Sequence, residues 1–169
     1  MAACGSGGPS ASKAQAPATP PATQTQPSVE PQLVATSWIE NLTFSGDVSG
    51  SATATAPDDD VLKSECSGRL TARGGTWAGT FVLALAGKRY AFVMLLPQYQ
   101  GPITYHETDG VTLELHSGDL QRVWQTQPGD PSTVTVAADE ASGTIQAQLS
   151  SAADPAKKVA VSGIYTCRA

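Results

Sequence analysis

From about Val34 onward, large apolar side chains alternate with small or polar ones in short runs, and almost nowhere do they recur at helical intervals. The clearest pair of runs is AGTFVLALA, then GK, then RYAFVMLLP. With Gly87 and Lys88 as a two-residue type II′ loop, Ala86 faces Arg89, which sets Leu85 opposite Tyr90, Leu83 opposite Phe92 and Phe81 opposite Met94. The large side chains of both strands then share one face, and Val82, Ala84, Ala91 and Val93 share the other. A one-residue slip would turn one strand inside out, so the shared face supports the pairing.

A second hairpin reads TVTVAA, DEAS, GTIQAQLS. Pairing Ala138 with Gly143 brings Val136 against Ile145 and Val134 against Ala147, with Thr135 and Gln146 on the opposite side. After SAADPAK, the run KVAVSGIYTC places Val159, Val161, Tyr165 and Cys167 on one parity, which predicts the third strand of a C-terminal meander. NLTFSG, GSATATA, SECSGRLTA and VTLELH read as further short strands. The expectation is an all-β domain, an antiparallel β-sandwich or small barrel of about eight to ten short strands.

That domain is expected to occupy residues 34–169, enough chain for one core. Residues 1–33 are mostly Ala, Pro, Thr, Gln, Ser and Gly, with Lys13 and Glu30 as their only charged side chains. A segment of that composition cannot bury enough apolar surface to offset its ordering entropy, so a disordered tether is expected there. The formal net charge of −5 and a pI near 4.8 leave no basic stripe for nucleic acid or an anionic membrane surface. No run approaches the roughly 18 apolar residues that span a bilayer. The greasiest stretch, Tyr90 to Pro97, is far shorter.

The three cysteines change the picture. Ala2-Ala3-Cys4-Gly5-Ser6, followed by the polar tether, resembles the end of a bacterial lipobox of the Leu-Ala-Ala-Cys type. That resemblance implies that Cys4 carries lipid, that Met1 stands in place of the end of a signal peptide, and that the protein is anchored on the outer side of a cell membrane. Cys66 and Cys167 remain as an even pair in a chain of exported character, and a disulfide between them is expected. Closing a loop of about 100 residues would stabilise the fold by about 4.7 kcal/mol on the chain-entropy account. The lipobox-like head, the tether and the cysteine early and late in the domain together resemble exported lipoproteins of actinobacteria and neighbouring phyla. The plan is similar to that of the mycobacterial lipoprotein antigen family, which implies location and architecture and transfers no catalytic residue.

Candidate chemistry is sparse. His106, Glu107 and Asp109 in YHETDG, with His116, are the residues a metal-dependent hydrolase would use. If TYH and VTLELH form a hairpin, His106 lies opposite about Val111, and His116 sits roughly 17 Å further along at strand rise, too far to share a metal. Asp58, Asp59 and Asp60 lack the spacing and glycine of a calcium loop and read as a charged turn. There is no zinc-type cysteine or histidine spacing, no nucleophile elbow and no phosphate-cradling loop, so no cofactor and no catalytic residue is assigned. In LLPQYQGPITY, the side chains of Tyr99, Ile103 and Tyr105 surround prolines and Gly101, either as an exposed binding surface or with the tyrosines capping the core. Trp38, Trp77 and Trp124 pose the same choice. The functional expectation is a lipid-anchored extracytoplasmic module, structural or binding an envelope lipid, glycan or protein, with an envelope hydrolase as the alternative.

Overall fold

The alternating runs become antiparallel strands in a computed structural model that describes residues 39–68 and 71–167. In chain order these are β1 (Ile39–Gly46), β2 (Gly50–Ala52), β3 (Glu65–Cys66), β4 (Trp77–Leu85), β5 (Lys88–Leu96) and β6 (Thr104–His106). They continue with β7 (Thr112–Ser117), β8 (Val123–Gln125), β9 (Ser132–Val136), β10 (Ser142–Ser151) and β11 (Lys158–Thr166). A 3-10 turn, Glu107–Asp109, interrupts them between β6 and β7. The all-β antiparallel expectation holds. The architecture is one sheet curled into a half-barrel, with strand order β2-β1-β11-β10-β8-β7-β5-β4-β3.

The long strand β10 organises one half. One of its edges pairs with β11 throughout, and the other is shared, Gly143 to Ala147 with β9 and Ser150 to Ser151 with β8. The expected meander of β9, β10 and β11 is therefore present, and β6 adds to the free edge of β9. Curling brings the inner faces of the two halves together. Phe44 on β1 meets Phe92 on β5 edge-on at 5.7 Å, and Trp77 on β4 meets Tyr165 on β11 at 5.6 Å. Trp77 and Trp124 are core residues rather than a platform. Trp38 lies outside the described residues.

Both hairpins differ from expectation in register but not in face. The β4–β5 turn uses Ala86 and Gly87, with φ of 48° and 74°, so Leu85 faces Lys88, Leu83 faces Tyr90 and Phe81 faces Phe92. Two positive φ values make a type I′ turn, whose twist matches that of the flanking strands, and it displaces the expected Gly-Lys turn. In the β9–β10 hairpin Val136 faces Gly143 and Val134 faces Ile145. Each pairing moves by two residues. Parity survives such a shift, and Phe81, Leu83, Leu85, Tyr90, Phe92 and Met94 all enter the core.

The outer face of β4 and β5 is itself covered. Leu62 packs on Val82 and Ala91, while Ala56 N–H donates to the Val82 carbonyl at 2.7 Å and Val82 N–H donates to Ser64 Oγ at 3.0 Å. Asp58 and Asp59 hold this covering segment in shape: Asp59 Oδ1 accepts from the N–H groups of Val61 and Leu62, and Asp58 Oδ1 from Ser64 N–H. Those backbone bonds are the main reason the Asp59 carboxyl titrates below its ordinary range.

Candidate functional site

Cys66 and Cys167 are joined, with Cα atoms 6.2 Å apart, inside the usual disulfide range. Cys66 belongs to β3, the last strand of the sheet path, and Cys167 directly follows β11, near the other end. The bridge therefore crosses the open side of the half-barrel and closes its seam.

Polar side chains reinforce the same end. Arg73 forms a two-pronged ion pair with Glu140, at 2.8 and 3.0 Å, from a segment just past β3 to the β9–β10 turn. Tyr99 Oη donates to Glu140 at 2.8 Å, and the Arg73 guanidinium lies over the Tyr99 ring at 5.1 Å. Trp77 Nε1 donates to the Glu140 carbonyl at 3.3 Å. Gly101 is favoured here by its φ of 110°, and a Cβ on it would also displace the Arg73 guanidinium, whose carbon would stand 2.5 Å away. The Glu140 hydrogen bond raises the basicity of Arg73 further, and burial together with the same carboxylate pushes the Tyr99 phenol up, so neither changes charge near neutral pH.

Of the two readings of the LLPQYQGPITY loop, an exposed aromatic surface or tyrosines that cap the core, the structure shows the second. Tyr99 and Tyr105 are fully buried and stacked at 5.9 Å, because their ring area belongs to the core and their hydroxyls find partners there. Tyr105 Oη donates to the Gly101 carbonyl and accepts from Gln100 N–H, each at 2.8 Å. Only Ile103 of the three stays exposed. The tyrosines cap the core, and the binding-surface reading is corrected for them.

The residues proposed for hydrolase chemistry are dispersed into structural roles. β6 pairs with β9 and not with β7, so the expected TYH–VTLELH hairpin is absent. Asp109 accepts from His106 N–H at 2.8 Å and closes the 3-10 turn, while Glu107 accepts from Gly129 N–H at 2.7 Å and pins the β8–β9 loop. His116 sits on β7 between Ala91 and Val123, its ring 2.7 Å from Glu114. Among the described residues, no three His, Cys, Asp or Glu side chains come together where they could hold a metal ion.

The surface depressions include one of about 450 Å³ over the outer face of β4, β5 and β7, with Leu62, Ala91 and His116 in its lining. A small one of about 250 Å³ at the β4–β5 turn is lined by Lys88, Arg89, Arg122 and Asp119. Its charges are largely committed: Arg89 bonds the Pro57 carbonyl and Asp59, Arg122 lies over Trp124, and Asp119 accepts from Ser117 Oγ. A larger trough of about 560 Å³ runs over the solvent face of β1, β11, β10 and β9. Its floor is Ala160 and Ser162 of β11, between Thr43 and Ser45 of β1 on one side and Gln146 and Gln148 of β10 on the other. Sequence reading noted Thr135 and Gln146 only as the outward side of a hairpin. Assembling the trough needs strands more than 100 residues apart, and no local pattern reports that. Compared with known proteins, the chain matches no family model, no curated protein and no solved structure. Cys4 lies outside the described residues.

Proposed function

We propose that the protein is an extracytoplasmic domain held on a bacterial membrane by lipid on Cys4, and that it works by binding a component of the envelope. The observation that carries this reading is the Cys66–Cys167 bridge across the seam. A half-barrel whose closure rests on a disulfide suits an oxidising compartment, because cytosolic reductants keep such thiols reduced. The Cys4 context supplies the anchor, since two or more acyl chains hold a protein on a membrane where one does not. Binding is favoured over hydrolysis because Glu107 and Asp109 spend their carboxylates on backbone N–H groups.

Expressed from its own gene in a bacterial host, the protein is expected in the membrane fraction and released by detergent, while Cys4→Ser moves it to the soluble or secreted fraction. Retention of Cys4→Ser on the membrane, or a wild-type protein found in the cytosol, would sink the reading.

A further inference from the structure

The solvent face of the β1-β11-β10-β9-β6 half carries an ordered array of polar groups. Thr43, Ser162, Gln146, Thr133 and His106 stand side by side across five strands. The neighbouring row is Asn41, Ile164, Thr144, Thr135 and Thr104. Strands lie about 4.8 Å apart and same-face residues about 7 Å apart along a strand, so hydroxyls and amides form a grid with the trough along β11 as its channel. No outward side chain of these strands, from Asn41 to Ser45, Thr104 to His106, Thr133 to Thr135, Thr144 to Gln148 and Ala160 to Ile164, is Asp, Glu, Lys or Arg. Ordinary domains are about a quarter charged, and this stretch of the face has none; the first charged side chain beyond it is Lys158 of β11, which is held by Asp130.

The chemistry of the face discriminates among occupants. Anionic partners such as nucleic acid or acidic lipid need cations, and the trough lining has no Lys or Arg, while Lys158 at its end is committed to Asp130. A stable protein interface needs a desolvated apolar centre with aromatic or arginine anchors, whereas the apolar side chains of this face amount to Ile164, Ala160 and the rim residue Pro131. A second copy pressed face to face would strip water from Gln146 and Gln148 without assured partners, at about 1–3 kcal/mol for each unsatisfied group. A neutral polyhydroxylated chain has the opposite character. Every hydroxyl on it both donates and accepts, as do the Thr, Ser and Gln groups of the grid, and a trough of this volume falls within the range of ligand sites.

We propose that this face binds a neutral oligosaccharide or polysaccharide chain lying along β11, an inference that rests on the envelope-binding reading above and names its ligand class. With no Phe, Tyr or Trp among the residues that line the trough, single-site affinity is weak, and many copies anchored on one membrane would act through avidity.

The test is affinity electrophoresis of the full chain in native gels containing dextran, soluble β-glucan or galactomannan, with sedimentation measured in parallel. Retardation is expected in at least one gel, reduced five-fold or more by Ser162→Arg, which fills the trough floor, and unchanged by Val61→Arg on the exposed covering segment. Migration unaffected by all three polysaccharides, or equal retardation of Ser162→Arg, overturns the proposal. So does a concentration-dependent dimer that Ser162→Arg dissociates, which would give the face to a second copy. Membrane retention through Cys4 is read separately, so loss of sugar binding with retention intact removes the ligand class and leaves the anchored-module reading standing.

Discussion

Asp130 shows how one side chain joins several elements. Buried in the β8–β9 connection, it accepts from Ser150 Oγ on β10 at 2.7 Å and from Lys158 Nζ on β11 at 3.0 Å. Burial alone would push its carboxyl up, yet the Ser150 and Lys158 hydrogen bonds outweigh that and hold it below the ordinary value. A lowered folded-state pKa means that the carboxylate favours the folded state above the unfolded value near 3.9, and that this stabilisation is lost as pH falls through the lower folded value. Asp130→Asn should therefore cost about 2 kcal/mol at pH 7, and the difference from wild type should shrink below about pH 4. Calorimetric Tm values at pH 7 and pH 3 check this, and an equal penalty at both would refute the charge assignment. Sequence reading did not single out Asp130, because its partners are 20 and 28 residues away.

At the scale of elements, parity was readable and register was not. Alternation assigns each side chain to a face, and both hairpins kept those faces although each register moved by two residues. Turn chemistry decides the register, and Ala86 gave no sign of a left-handed backbone because alanine rarely adopts one. Since a type I′ turn prefers Asn before Gly, Ala86→Asn should raise stability by about 0.5–1 kcal/mol in thermal or denaturant unfolding. A loss of stability would show that the turn is not built on Ala86 and Gly87. β8 escapes pattern reading, because three residues scarcely alternate, and for the equally short β6 the pattern cannot say which strand it joins. The misplaced β6–β7 hairpin has the same origin. A capped 3-10 turn redirects the chain, and β6 finds its partner in β9, some 30 residues on.

For the whole molecule, the all-β class and the cysteine pair were legible, because alternation and an even pair of cysteines are properties of the sequence itself. The half-barrel, its seam and the polar trough were not. Arg73 and Glu140 are 67 residues apart, and nothing near either one announces the other. The seam concentrates the protein's long-range closure at one end, where the disulfide, the Arg73–Glu140 pair and the stacked tyrosines meet. On the chain-entropy account the bridge alone contributes about 4.7 kcal/mol, a large share of the 5–15 kcal/mol typical of a domain. An oxidised seam and the lipid proposed on Cys4 would be two signatures of one location, and intact-protein mass spectrometry of the membrane-extracted gene product, before and after reduction, reads both. The account predicts a mature chain beginning at Cys4 with a diacylglyceryl group and a two-hydrogen gain on reduction, whereas an unlipidated mass with free Cys66 and Cys167 thiols would contradict it.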